Sequence, residues 1–132
     1  MDKYRATILV IDDDKDVLTS ARLLLKQHFQ KVIVLPNPRE INAVLSEEEV
    51  DLVLLDMNFS RGDNDGREGI YWLKHIREIR PTMPVVLMTA YGEVDLAVRA
   101  IKQGAIDFVV KPWTNEKLLA TLNAALQLAM SR

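Results

Sequence analysis

Five short apolar runs punctuate the chain, and they constrain its fold more than any other feature of the sequence. They occupy residues 6–11 (ATILVI), 32–35 (VIVL), 52–55 (LVLL), 85–88 (VVLM) and 106–110 (IDFVV). Most of the runs are continuous, not alternating, and are rich in Val, Ile and Leu. This pattern is typical of strands that are buried on both faces of a parallel sheet.

Helical patterns lie between and after these runs, with apolar residues spaced to share one helix face. In chain order the predicted faces are Leu18, Ala21, Leu24, Leu25 and His28 or Phe29; Ile41, Val44 and Leu45; Ile70, Leu73 and Ile76; Val94, Ala97, Val98 and Ile101; and Leu118, Leu119, Leu122, Ala125, Leu126 and Ala129. Asn37 followed by Pro38 is typical of a helix start, and Gly104 of a helix end. Five alternating strands and helices predict an α/β fold with helices on both faces of the sheet.

The composition argues against several classes of protein. The 132 residues suit one domain. The absence of cysteine excludes disulfides, thiolate zinc sites and cysteine nucleophiles. A net charge of −2 provides no basic field for nucleic acid or an anionic membrane. No apolar run approaches the ~20 residues of a membrane-spanning helix, and the first residues lack the apolar segment of a signal peptide. We therefore expect a soluble, cytoplasmic domain that binds neither nucleic acid directly nor a membrane.

Acidic residues follow two of the predicted strands, at the ends where open parallel sheets bind ligands. Asp12, Asp13 and Asp14 follow the first strand, and Asp56 ends the third. Two like charges ~5 Å apart repel by about 3 kcal/mol at an effective dielectric constant near 20, so such a cluster needs compensation. Mg²⁺ is the usual cation for oxygen ligands of this kind. Capping of the first helix is the better interpretation of Asp14, but capping does not explain acids on two strands.

Two further polar residues end the fourth and fifth strands. Thr89 is followed by Ala90, and Lys111 by Pro112. Either residue alone would be interpreted as an ordinary strand end or surface side chain. Together with a carboxylate nucleophile and a metal ion, a lysine and a hydroxyl are the groups that stabilise a transferring phosphoryl group. The order of these residues along the strands therefore predicts a phosphoryl-transfer site.

On these residues the chain resembles the receiver domains of bacterial two-component response regulators. The resemblance covers essentially the whole chain and includes the motifs ILVIDDD, LVLLD, VVLMTAYG and GAIDFVVKPW at the first, third, fourth and fifth strands. The stretch MTAYGEVDLAVRAIKQGAIDFVVKPW is most similar to receivers of the NtrC subclass, which usually precede an ATPase module and a DNA-binding helix-turn-helix. We accordingly expect a flavodoxin-like, doubly wound parallel sheet with strand order 2-1-3-4-5 and five helices.

The resemblance also implies roles for the acidic residues. Asp56 would accept a phosphoryl group from a sensor histidine kinase and so act as the phosphoacceptor. Asp12 and Asp13 would hold Mg²⁺, with Asp13 and Asp56 as direct ligands and the backbone carbonyl of Asn58 as a third. The domain would be a signalling phosphoacceptor and not an enzyme, although it would promote its own Mg²⁺-dependent phosphorylation and dephosphorylation.

Further roles concern the output of the signal. By resemblance, Thr89 and Lys111 contact the phosphoryl oxygens, and Phe108 matches a position whose ring turns inward on activation. The peptide bond between Lys111 and Pro112 is usually cis in the family, as proline allows. The surface of the fourth helix, fifth strand and fifth helix would then favour a homodimer. The remaining expected partners are the kinase and an output domain that regulates transcription.

The sequence departs from the family pattern directly after Asp56. The stretch 57–69 lacks the usual proline. If Gly69 matches the glycine that opens the third helix, about five residues are inserted, an addition that a surface loop tolerates at small entropic cost. A tolerated insertion and a partial lid formed by residues 59–68 are both open interpretations. The insertion also bears on whether Asn58 supplies the metal-ligand carbonyl.

Two other classes of protein share part of this pattern. A phosphatase of the haloacid-dehalogenase type also begins with an Asp-x-Asp motif, but only Asn115 and Glu116 stand where its second acidic pair would follow the lysine. A flavodoxin-like flavin carrier would need a phosphate-binding loop where Asp12–Asp14 would repel the flavin phosphate. The fifth helical pattern runs almost to the last residue. Residues 1–132 are therefore either a single receiver domain or the N-terminal part of a longer transcriptional regulator.

Overall fold

The computed structural model describes residues 4–57, 67–90 and 92–130. Within these residues five β-strands and five α-helices alternate, with a short 3-10 helix at Pro38–Glu40 before the second α-helix. In chain order they are β1 (Tyr4–Ile11), α1 (Lys15–Leu25), β2 (Phe29–Leu35), α2 (Ile41–Glu47), β3 (Leu52–Asp56), α3 (Arg67–Ile79), β4 (Val85–Ala90), α4 (Val94–Lys102), β5 (Asp107–Lys111) and α5 (Asn115–Met130). Among these elements, no helix combines the length and the apolar character needed to span a bilayer.

All five strands are parallel and form one sheet in the order β2-β1-β3-β4-β5. This order confirms the expected doubly wound, flavodoxin-like topology. The winding reverses between β1 and β3, and a crevice forms there at the carboxyl ends of the strands. The ends of β1, β3, β4 and β5 are consecutive along that edge, so the residues that follow them can converge.

Alternate strand residues face opposite sides of the sheet, and each side is covered by helices. Ile8 and Val10 lie in a core cluster with buried residues of α1 and α5, and we call this side the α1/α5 face. Leu9 and Ile11 lie in a second cluster with residues of α2, α3 and α4, on the side we call the α2–α4 face. Burial on both faces is the physical reason that the strands appear as continuous apolar runs.

The boundary between α1 and β2 differs from the sequence prediction. His28 or Phe29 was expected to extend the apolar face of α1, but α1 ends at Leu25 and Phe29 begins β2. The N–H of His28 donates to the Leu25 carbonyl at 3.0 Å, and the His28 carbonyl accepts from Tyr4 N–H at 2.9 Å. The chain therefore turns into the sheet at this point, and Phe29 is fully buried there.

The fourth helix forms where expected, but of its predicted apolar face only Ala97 is buried. Val94, Val98 and Ile101, which we call the α4 apolar stripe, are 56%, 45% and 40% exposed. Ala97 and Ala100 face the sheet and are fully buried. Small residues let the helix axis approach the sheet closely, and this contact decides which face is buried. As predicted, Gly104 follows the helix end, at a φ of +114° that other residues rarely adopt.

Candidate functional site

Three side chains from three strand ends meet at the carboxyl edge of the sheet. Asp12, Asp56 and Lys111 continue the strand positions that face α1 and α5. The ammonium nitrogen of Lys111 lies 3.0 Å from Oδ2 of Asp12 and 3.0 Å from Oδ1 of Asp56. Asp12 is fully buried and Asp56 is only 3% exposed. Lys111 thus supplies positive charge between two buried carboxylates that would otherwise repel each other.

The acidic residues after β1 differ in their contacts and therefore in their structural roles. Oδ1 of Asp12 accepts from the N–H of Asp14 at 2.9 Å, so both carboxylate oxygens of Asp12 have partners. Oδ1 of Asp14 accepts from the N–H groups of Asp16 and Val17, at 2.8 and 3.4 Å, and caps α1. The capping interpretation of Asp14 is confirmed. Asp13, between them, is only partly covered by its neighbours and remains accessible to solvent.

The donor set at this edge fits a hard divalent cation. Asp12, Asp13 and Asp56 each offer a carboxylate oxygen, and these three atoms lie within 4.8 Å of one another. Partial burial, and secondarily the negative charge of Asp12, raises the pKa of the Asp13 carboxyl above its usual value. Negative charge concentrated on oxygen ligands is the arrangement that Mg²⁺ prefers. Asn58, the expected source of a backbone ligand, lies outside the described residues.

Lys111 remains a cation in this environment. Burial alone would lower its pKa, but the negative charges of Asp56 and Asp12, with their hydrogen bonds, outweigh burial and raise the pKa above its ordinary value. The peptide bond between Lys111 and Pro112 is cis, as the resemblance implied. A fixed positive charge beside a buried carboxylate can hold the anionic oxygens of a phosphoryl group.

Thr89 and Phe108 lie on the opposite side of the sheet from Lys111. Met88 pairs with Asp56 in register, so Thr89 lies one residue further along the same edge, where it is buried. Phe108 pairs with Leu87 of β4, packs against the core of the α2–α4 face and is half-buried. Alternation along β4 and β5 therefore places Thr89 and Phe108 on one face of neighbouring strands. Along the strands they are offset by two positions, because Phe108 pairs with Leu87 and Thr89 pairs with Val110.

The structure brings together Asp12, Asp13, Asp56 and Lys111, with Thr89 at the adjacent strand end. The connection after β3 is shorter at its far end than the sequence predicted, because Arg67 and Glu68 already belong to α3. The rest of the predicted lid, residues 59–66, lies outside the described part of the chain.

Sequence reasoning missed Met57, which follows Asp56. Its side chain is fully buried, and its carbonyl accepts from the N–H of Gly69 in the first turn of α3 at 2.9 Å. An apolar residue directly after the acid and a glycine early in a helical pattern are the signals that could have indicated this contact.

Comparison with known proteins gives a consistent result. Residues 8–123 match the family model described as the response regulator receiver domain. The crystal structure of the N-terminal signal receiver domain of a response regulator from Bacteroides fragilis is 52% identical, with a TM-score of 0.83, and the match covers 92% of this chain and 97% of that chain. Transcriptional regulatory protein ZraR from Klebsiella oxytoca is 38% identical over 126 residues, which is 96% of this chain and 27% of ZraR. A putative NtrX-like response regulator from Rickettsia bellii is 33% identical over 120 residues, 91% of this chain and 24% of that protein. The chain thus spans about a quarter of the length of these curated relatives.

Proposed function

This chain belongs to the response regulator receiver domain family, within its NtrC subclass, and we propose that Asp56 is the residue on which it accepts a phosphoryl group. A domain of this family is a phosphoacceptor in signalling and not an enzyme of the usual kind. The observation that carries the proposal is the buried Asp56 carboxylate, held 3.0 Å from the Lys111 ammonium at the open edge of the sheet. A carboxylate placed beside a fixed cation can act as the nucleophile toward an anionic phosphoryl group.

The donor in this proposal is a phosphohistidine of a sensor histidine kinase. A carboxylate oxygen of Asp56 attacks the phosphorus, and a new O–P bond forms as the P–N bond breaks. The bonding electron pair returns to the imidazole nitrogen of the donor. Lys111 and the Thr89 hydroxyl hold the oxygens of the transferring group, where negative charge must be stabilised.

Receiver domains use Mg²⁺ at an acidic pocket, and the carboxylates of this chain fit that ion. In the proposed arrangement Asp13 and Asp56 are direct ligands, and Lys111 and the Asp14 N–H orient Asp12 beside them. When bound, Mg²⁺ would neutralise part of the charge on the phosphoryl oxygens. Phosphorylation by small phosphodonors and the later loss of the phosphoryl group would both depend on this site.

The proposed switch connects the site to α4 and β5. A phosphoryl group on Asp56 draws the Thr89 hydroxyl toward its oxygens, and Phe108 turns into the space that Thr89 leaves. The shift is driven by contacts that the phosphoryl group makes in one packing and not in the other. The responding surface would include the α4 apolar stripe, β5 and α5, and it would favour a homodimer. Exposed apolar residues on α4 support this proposal because they offer area for a partner to bury.

Partners beyond this domain follow from its relatives. Since the curated relatives are about four times as long, we propose that residues 1–132 form one receiver domain of a longer transcriptional regulator. Its output domain and a sensor histidine kinase are then its partners, and the cytoplasm is its location. The phosphatase interpretation finds no support in the family match or in the structural relatives.

Intact-mass measurement after incubation with acetyl phosphate and Mg²⁺ tests the proposal. The parent protein should gain one phosphoryl group, and Asp56→Asn should gain none. Asp14→Asn is the matched control because Asn also caps helices, and it should be labelled like the parent. An Asp56→Asn protein that gains the phosphoryl group at the parent rate would contradict the assignment of Asp56.

A further inference from the structure

The first turn of α3 approaches the end of β3 more closely than a side chain would allow. A Cβ atom on Gly69 would lie 2.5 Å from the Met57 carbonyl oxygen, 2.6 Å from Met57 Cα and 2.9 Å from the Met57 carbonyl carbon. All three are backbone atoms, so no rotation of a neighbouring side chain relieves the overlap. Any residue other than glycine must move α3 away from Met57, or move Met57 itself.

Hydrogen bonds hold the Met57 backbone from two sides. Its N–H donates to the Met88 carbonyl of β4 at 3.0 Å, and its carbonyl accepts from the Gly69 N–H at 2.9 Å. Met57 directly follows Asp56, and Met88 directly precedes Thr89. The contact between β3, β4 and α3 therefore lies one residue from the proposed nucleophile and one residue from the proposed switch hydroxyl.

We propose that Gly69 is a positioning residue for phosphoryl transfer, which acts through the Met57 backbone on Asp56. The inference rests on the proposed function, since it assumes that Asp56 is the nucleophile. Asp56 must keep its 3.0 Å contact with Lys111 and its place beside Asp13. A misplacement of about 1 Å in a catalytic geometry can slow a reaction on the order of 10²-fold. A methyl group on Gly69 would displace the peptide next to Asp56.

The test compares Gly69→Ala with Ile76→Ala, a matched core truncation in the same helix. Ile76 is fully buried on the α2–α4 face and lies two turns from Gly69. The measured quantity is the first-order rate of labelling by saturating acetyl phosphate and Mg²⁺, at a temperature where circular dichroism shows folded protein. Gly69→Ala should be slowed by about tenfold or more. Ile76→Ala should stay within about twofold of the parent, because distant sites act independently.

A second variant covers the case in which Gly69→Ala does not fold. Replacing residue 69 by glycolic acid turns its amide into an ester, which removes the N–H donor and adds no Cβ. This ester should also be labelled more slowly than the parent. If Gly69→Ala is unfolded, the labelling rate of the ester tests whether Gly69 positions Asp56.

Four outcomes contradict the inference. A folded Gly69→Ala labelled at the parent rate overturns it, and so does a parent-like ester where Gly69→Ala does not fold. Equal slowing of Ile76→Ala would mean that loss of stability, and not local geometry, limits the reaction. A parent protein that is not labelled at all would overturn the proposed function, and this inference with it.

Discussion

The ammonium nitrogen of Lys111 lies 3.0 Å from a carboxylate oxygen of Asp56, although 55 positions separate the two residues in the chain. The same nitrogen lies 3.0 Å from Oδ2 of Asp12, so one ammonium group forms ion pairs with two buried carboxylates. Removing the cation would leave two buried negative charges facing each other. The stability of the domain and the reactivity of Asp56 therefore both depend on Lys111.

Lys111→Met should destabilise the metal-free protein by roughly 2–3 kcal/mol. That is below the 3–5 kcal/mol typical of breaking a fully buried pair, because the Lys111 side chain is 24% exposed. The same change should slow phosphorylation, because a donor to the phosphoryl oxygens is lost. Urea denaturation in the presence of a chelator measures the stability. Lys102→Met, an exposed change on α4, is the control and should stay within about 0.5 kcal/mol of the parent. Equal stability of the two variants would contradict the central role of Lys111.

Asp13→Ala should weaken metal binding, whereas Asp14→Ala should lower stability and leave metal binding nearly unchanged. Loss of the proposed ligand Asp13 should weaken Mg²⁺ binding by about tenfold or more. Loss of the Asp14 cap should cost about 1 kcal/mol of stability and leave Mg²⁺ binding nearly unchanged. Titration of Mg²⁺ against tryptophan fluorescence, together with urea denaturation, measures both quantities. Equal losses of affinity in the two variants would mean that the roles are misassigned.

The stability of the metal-free protein should depend on pH through Asp13. Its pKa is raised in the folded state, chiefly by burial and then by Asp12, so its charge opposes folding at neutral pH. Asp13→Asn should therefore stabilise the metal-free protein at neutral pH. This advantage should shrink as the pH falls through the raised pKa and vanish below the ordinary value of 3.8. Denaturation curves across this range, with Asp14→Asn as the control, check the sign. An advantage that grows on acidification would contradict the assignment.

Thr89→Ala should separate phosphorylation from the structural response. Labelling of Asp56 should continue, at a reduced rate, because Lys111 remains in place. Chemical-shift changes on phosphorylation should be large at α4, β5 and α5 in the parent, and much smaller in Thr89→Ala. Changes confined to α1 and α2 in the parent would contradict a route through Thr89 and Phe108.

The sequence predicted those features that depend on strand order and strand ends. Because carboxyl ends of neighbouring parallel strands share an edge, the meeting of Asp56 and Lys111 could be predicted across 55 positions. The continuous apolar runs likewise predicted all five strands, although β2 begins at Phe29, three residues before its predicted start. These features depend on local pattern and on one topological rule.

Features that depend on how closely helices and strands approach one another could not be predicted from the sequence. The apolar spacing in α4 indicated a helix and included the buried Ala97, but only the contact of α4 with the sheet decides that Ala100 is buried and Val98 is exposed. The contact between Gly69 and Met57 depends on where α3 begins after the β3–α3 connection, and a chain pattern does not specify that distance. The two hydrogen bonds that the Asp12 carboxylate accepts, from the Asp14 N–H and from Lys111, likewise depend on distances that a sequence pattern does not specify.

Reductive trapping of the acyl phosphate tests the central claim most directly. The protein is incubated with acetyl phosphate and Mg²⁺, treated with borohydride, digested and mapped by peptide mass. Borohydride cleaves an aspartyl phosphate and leaves homoserine at the modified position, which identifies the nucleophile itself. We predict homoserine at position 56, and none at Asp12, Asp13 or Asp14. Homoserine at one of those three positions, with Asp56 unchanged, would contradict the assignment of Asp56 as the phosphoacceptor.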